Sequence, residues 1–312
     1  MCKQTRPFTP FQHSATAMPP TFRSAWSLLY QTTEAWLDNY CPSMGAALAY
    51  YTLFSLAPLM LIVVSVGGML FGAEAARGEI EAQLVSLMGA GGAHAVQDLL
   101  ASVRQPAEGS VATGVGLVLL FLGSTSVFAE LQNAFDRIWH APASWRGSTW
   151  LTLVRTRLLS FGMVLAIGFL LMVSLAFSAA LALMGHWVEP VFGGWLALAT
   201  FSNAVAAFAL LSAMFALIYK VMPRARVQWR DVWTGALFTA LLFSLGRYLI
   251  GLYIGRSGIV SGFGAAGSLV VILLWVYYSA QIFLLGAQFT WVYANRFGSR
   301  KPVTIDAEPQ TS

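Results

Sequence analysis

Four histidines, two cysteines and thirteen carboxylates make up the acid–base and metal-binding chemistry available to this chain. Hydrolytic catalysis needs an activated water, which requires either a metal held by several side chains or a base set beside a nucleophile. His13, His94, His140 and His186 fall in different segments, none at ligand spacing from another histidine or from a cysteine. Neither H-x-x-x-H nor H-E-x-x-H occurs, and no paired-carboxylate cluster stands in for them. The absence of a G-x-x-x-x-G-K-[ST] loop removes an ATP-driven step carried by this chain alone. Cys2 and Cys41 form no C-x-x-C pair and are read as reduced thiols. The inventory predicts no enzyme, no metal site and no cofactor.

The polar residues that remain are set among apolar ones. Arg247 is the one formal charge placed within a span, Val232–Gly255, with Ser244, Tyr248 and Gly251 three or four positions away on the same helical face. A guanidinium at such a depth is costly unless it is paired, hydrated or able to reach the surface. About nine residues separate it from the outer end of the span, so snorkelling and an anion or lipid-headgroup site both stand open. A second polar line consists of Tyr277, Gln281, Gln288 and Asn295, which lie within about 40° of one another at 100° per residue. Such amides either tie helices together or line a substrate path. The candidates for a substrate path are therefore Arg247, Ser244, Tyr248, Tyr277, Gln281 and Gln288. No Asp or Glu falls in any predicted span, which leaves ion coupling through a buried carboxylate without a carrier.

The elements that hold these residues follow from where charge is missing. Of 312 residues 57% are hydrophobic and only 10% charged, against roughly a quarter charged in a soluble chain. Asn39–Ala73, Gly109–Ala129, Leu158–Val188, Pro190–Tyr219 and Ser257–Asn295 contain no charge, and Val232–Gly255 contains only Arg247. Each is long enough to cross ~30 Å of hydrocarbon as a helix. Lipid offers the backbone no hydrogen bonds, and runs without strand-like alternation satisfy it only as helices. The predicted fold class is all-α, a polytopic bundle of six transmembrane helices with short interfacial amphipathic helices.

Basic residues set the orientation. Fourteen of the eighteen fall in the terminal segments and in the second and fourth connections. The alternation places both termini on the cytoplasmic side. A net charge of +5 could also attract nucleic acid, but these residues are interleaved with Trp145, Trp150 and Trp229 beside spans, as headgroup anchoring requires. Membrane lipids are the expected partners, and nucleic acid is not.

The predicted organisation is a disordered tail over 1–20, a membrane domain over 21–297 and a second tail over 298–312. Phe22, Trp26, Leu29, Thr33, Leu37 and Tyr40 recur at helical spacing and predict an interfacial amphipathic helix before the first span. The connection 74–108 carries five acids against two arginines, with Ile80, Leu84, Leu87 and Met88 before a glycine-rich break and Val96, Leu99, Leu100 and Val103 after it. It is read as an outer cap of two short helices, with an envelope protein as its candidate partner. Glu130–His140 repeats the pattern with Leu131, Phe135, Ile138 and Trp139 on one face. Pro58 interrupts hydrogen bonding within the first span and predicts a kink. No internal repeat is evident.

Four segments carry a resemblance: AALAYYTLFSLAPL (46–59), GSTSVFAELQNAFDRIWH (123–140), YKVMPRARVQWRDVWTGALFTALLF (219–243) and SLVVILLWVYYSAQIFLLGAQFT (268–290). Across about 46–290 the chain resembles the YihY/BrkB family. The resemblance implies a bacterial inner-membrane protein of six spans. Members have carried the label ribonuclease BN, for which this chain offers no metal-ligand set. Where relatives commonly read Gly-Ala-Glu near the end of the last span, this chain has Gly286, Ala287 and Gln288. The leading expectation is transport or lipid handling in the cell envelope. The alternatives are a non-transporting scaffold acting through the cap and, remotely, a membrane-associated ribonuclease. Substrate, energy source and oligomeric state are not encoded in any of these patterns.

Overall fold

Long uncharged runs become helices here because no other conformation satisfies their backbone without water. The computed structural model describes residues 22–71, 78, 81, 84–85, 92–98, 126–141, 195–225, 227–256 and 267–300. Among these, all regular structure is helical: α1 (Phe22–Asp38), α2 (Cys41–Phe71), α3 (92–98), α4 (126–138), α5 (Trp195–Val221), α6 (Trp229–Arg256) and α7 (Gly267–Arg296). Four of the six uncharged runs thus appear as α2, α5, α6 and α7. Most of Gly109–Ala129, all of Leu158–Val188, the first tail, residues 301–312 of the second and most of the cap lie outside the described residues. The α2 helix continues through Pro58 without interruption.

Within α5, α6 and α7, the stretches Phe201–Val221, Trp229–Tyr253 and Gly267–Arg296 are long and apolar enough to cross a membrane, yet only 22–33% of their most apolar windows is buried inside the protein. Exposed apolar residues run along α6 as Trp233, Leu237, Leu241, Leu245 and Leu249. A surface of this kind is stable only against hydrocarbon. The α1 helix follows the same rule. Its stripe of Trp26, Leu29, Leu37 and Tyr40 is exposed, while Leu28 and Thr32 are buried.

The last helix, α7, is the hub, packing against α1, α2 and α6, while α5 packs on α6. The α6 and α7 helices run antiparallel and interlock through small residues. Thr290 fills the space beside Gly235, and Thr239 the space beside Gly286. Each threonine hydroxyl donates back to its own helix, Thr239 to Gly235 O at 2.7 Å and Thr290 to Gly286 O at 2.8 Å, so no polar group is stranded at the crossing. The Tyr219 hydroxyl reaches in from α5, donating to Phe283 O at 2.8 Å and lying 3.0 Å from Thr239 Oγ1. Phe135 of α4 packs edge-on against Tyr219 and Phe283, with ring centroids 6.0 and 5.7 Å away. Near the other end of α6 and α7, Ala95 and Val96 of α3 are buried with Ile250, Val271 and Ile272.

Charges collect at one end of the bundle. The α5 helix stops before Pro223, which cannot donate to a continuing helix. The short connection that follows brings Arg224 within 3.1 Å of Asp136 on α4. Asp231, in the first turn of α6, accepts from the Ser299 amide at 3.2 Å and from its hydroxyl at 2.6 Å. Arg300 stands over the Trp139 ring at 5.1 Å, Lys220 over Trp229 at 5.4 Å and Arg137 over Tyr40 at 6.0 Å. Asp231→Ala removes both bonds and an acid favoured by the helix dipole, and should lower stability by about 2 kcal/mol. Ser299→Ala, which keeps the amide bond, should lower the thermal midpoint of the purified protein by less. Equal midpoints for the two variants would contradict this arrangement.

Candidate functional site

Leucine and isoleucine at i, i+3, i+4 and i+7 give a helix one apolar face. On α6 this face is Leu242, Leu245, Gly246 and Leu249, and on α7 it is Tyr278, Gln281, Ile282 and Leu285. Gly246 draws the two faces together, since a Cβ there would lie 2.7 Å from both Ile282 and Tyr278. Thr33 and Trp36 of α1 complete a groove of about 360 Å³ whose lining carries no formal charge. Leu245 and Leu249 are also exposed on the outer surface, so the groove opens sideways onto the face that meets hydrocarbon.

Two polar atoms of the lining stand out. Gln281 Nε2 donates to Pro42 O at 3.2 Å. That carbonyl can only accept, so the amide orientation is fixed and Oε1 is the atom left over. Gln281 Oε1 and Trp36 Nε1 are both buried without a hydrogen-bond partner. The Gln281 side chain also fills the notch beside Gly45, which brings α2 close to α7.

The predicted site residues are distributed over several surroundings. Gln281 lies in the groove, and Tyr277 beside it on α7 is half-buried. Gln288, two turns further along, is fully buried, its Oε1 accepting from Asn39 Nδ2 at 3.0 Å while its Nε2 has no partner. Asn295 donates to Trp291 O of its own helix. On α6, Ser244 is half-buried, whereas Arg247 and Tyr248 are exposed. At 100° per residue they lie on the far side of that helix from the groove face. The structure therefore brings Gln281 and Gln288 together with the α1–α2 corner and keeps them apart from Arg247. Among the described residues no group of three or more His, Cys, Asp or Glu is placed to hold a metal.

Trp36 and the leucines of α6 escaped the reading of polar residues. Trp36 lies at the edge of the α1 stripe, two turns from Leu29, without having been named in it, and a leucine face in a span looks the same whether it meets lipid or lines a groove. The signal was Gly246, a small residue in the middle of a leucine face, which marks close helix approach.

A family model described as Virulence factor BrkB matches residues 32–311. The chain is similar to a UPF0761 membrane protein of Pseudomonas aeruginosa strain UCBPP-PA14, at 29% identity over 257 residues, covering 80% of this chain and 59% of the relative. It is 27% identical over 282 residues to a UPF0761 membrane protein of Tolumonas auensis, covering 86% and 87% of the two chains. A UPF0761 membrane protein of Xanthomonas campestris strain 8004 is 28% identical over 253 residues, covering 80% and 57%. This chain thus spans less than two thirds of the length of the Pseudomonas and Xanthomonas relatives. No solved structure matches.

Proposed function

This chain belongs to the virulence factor BrkB family of multi-pass membrane proteins, and from that premise we propose that it handles lipid in the bacterial inner membrane. The observation that carries the reading is the groove between α1, α6 and α7, uncharged and bordered by the exposed leucines Leu245 and Leu249 of an apolar helix. A path for an ion or sugar needs polar walls along its length, and a lipid path needs a lateral apolar opening. In this proposal the chain has six spans. Four are α2, α5, α6 and α7, and two come from residues 109–129 and 158–188. Both termini are cytoplasmic, supported by the gathering of Arg137, Lys220, Arg224 and Arg300 at one end of the bundle. Arg247 and Tyr248, exposed on the side of α6 away from the groove, stand outside that path and are the candidate contacts for headgroups of the surrounding bilayer.

The test is movement of fluorescent phospholipid between leaflets of vesicles holding the purified chain. Wild type should accelerate exchange well above empty vesicles, and Leu249→Trp, which narrows the groove from its open side, should return it close to background. Arg247→Ala should slow anionic more than zwitterionic lipid, and equal rates would remove that residue's role. A wild-type chain that moves no lipid sinks the reading. It would leave the scaffold alternative, favoured by the seating of Ala95 and Val96 against α6 and α7, which fixes this part of the cap on the bundle. Crosslinking from the cap should then capture a stable envelope partner.

A further inference from the structure

Helices commonly end on a residue in the left-handed backbone region, and glycine is the residue that enters it without steric cost. Among the described residues two others do so, Tyr40 at φ 56° and His140 at φ 49°. His140 closes α4 with the paired bonds of such an end, its own amide donating to Arg137 O at 3.3 Å and the Ala141 amide to Asp136 O at 2.9 Å. Tyr40 turns the chain from α1 into α2, its carbonyl accepting from the Ser43 and Met44 amides. Glycine would serve either turn with less strain, so backbone geometry explains neither side chain. Both flank the same cation. The Arg137 guanidinium stands 6.0 Å from the Tyr40 ring centroid, and His140 follows one turn further along.

Other cations at this end of the bundle are held by the protein itself. Arg224 pairs with Asp136, Lys220 donates to Val227 O and Arg296 to Gln31 Oε1. Arg137 and His140 are exposed, and among the described residues neither side chain makes a hydrogen bond or an ion pair. Each rests on an aromatic ring instead, Arg137 on Tyr40 and His140 tilted over Trp291 with centroids 5.1 Å apart. A ring positions a cation without neutralising it. Asp38 lies two residues before Tyr40, and Arg300, over the Trp139 ring, offsets it with a further guanidinium at the α4 end. Leu37, exposed one turn before Tyr40, gives the corner an apolar edge.

We propose that the corner between the α1–α2 turn and the end of α4 seats an anionic phospholipid, with Arg137 and His140 on its phosphate and an acyl chain against Leu37. Arg137 donates to the phosphate oxygens, and the His140 ring adds a second donor from the neighbouring turn. Free phosphate would gain nothing from Leu37, which is why a lipid is the occupant. None of these residues lines the groove, and the seat stands whether or not the chain moves lipid.

The test uses the full chain, purified in detergent and stripped of lipid, then titrated with dioleoyl phosphatidylglycerol or with dioleoyl phosphatidylcholine. Native mass spectrometry reads the lipid retained, and the melting temperature is followed alongside. Phosphatidylglycerol should be retained and raise the melting temperature, phosphatidylcholine far less, and inorganic phosphate should not displace the bound lipid. Arg137→Gln should weaken retention about ten-fold, the loss expected for one charged hydrogen bond, while Arg230→Gln, an exposed cation at the same end, should leave it unchanged. Because Arg137 is exposed, its variant should melt as wild type does without lipid, and His140→Ala decides if it does not. His140→Gly and His140→Ala should both weaken retention, and without lipid the glycine variant should melt above the alanine one because it relieves the backbone. Equal retention of the two lipids, displacement by phosphate, or equal losses for Arg137→Gln and Arg230→Gln each overturns the seat. A glycine variant that melts no higher than the alanine one removes His140 from it. Selective retention in a chain that moves no lipid supports this seat and overturns the handling proposal. Lipid movement without selective retention does the reverse.

Discussion

Gly286→Leu will prevent the α6–α7 pair from closing and abolish recovery of monodisperse protein. The first carbon of the new side chain would fall on Thr239 Oγ1 and stand 2.6 Å from the Tyr219 hydroxyl, before the remaining three carbons are placed. Both neighbours are fully buried and hydrogen-bonded, so neither can swing away. Overpacking a well-filled core typically costs ~1–3 kcal/mol, and a clash of four carbons at a helix crossing belongs above that range. Gly251→Leu is the control, since nothing lies within 4 Å of a Cβ at Gly251. It should elute and melt as wild type does. Thr239→Ala should recover part of the stability lost in the milder Gly286→Ala, and strictly additive effects would show that the two residues do not meet as described.

Arg224→Ala should be the other severe substitution. Asp136 is only 6% exposed, and its Oδ2 lies 3.1 Å from the Arg224 guanidinium. Removing one member of a buried pair takes away much of the compensation for the other's charge, at a cost of up to about 3–5 kcal/mol. Arg224 is itself 26% exposed, so solvent reaches the pair and the lower end of that range applies. Asp136→Asn combined with Arg224→Gln should be clearly less damaging than Arg224→Ala alone, because no charge is left behind. Melting temperatures of the three purified proteins would decide it, and a double variant as unstable as Arg224→Ala would show that charge is not the issue.

The helices described as α2, α5, α6 and α7 were legible in the sequence because absence of charge over twenty residues is a strong, local signal. The pattern in Glu130–His140 was legible from its helical periodicity, and Phe135, Ile138 and Trp139 are buried in one cluster. The polar line on α7 was legible as a face but not as a set of contacts. Periodicity places Gln281 and Gln288 on one side of a helix, yet their partners Pro42 and Asn39 come from a corner some 240 residues earlier. The α1 stripe was correctly read as amphipathic, while the contact face proved to be its sparser side, Leu28 and Thr32. In a chain surrounded by hydrocarbon, apolarity does not tell inside from outside, so the groove and the glycine–threonine interlock could not be read from hydropathy. Small residues such as Gly235, Gly246 and Gly286 carried that information instead.

The bond from Asn39 to Gln288 bridges 249 positions, and Gln31 meets Arg296 over a similar distance. Ribosomes deliver Asn39 well before Gln288. At roughly 5–20 residues per second, α1 waits ~12–50 s after leaving the exit tunnel before its docking surface exists. Until then the Trp26 and Tyr30 side must rest on the bilayer, and a helix made early is seated late. Stop codons before Gly267 would therefore release the opposite terminus of the protein.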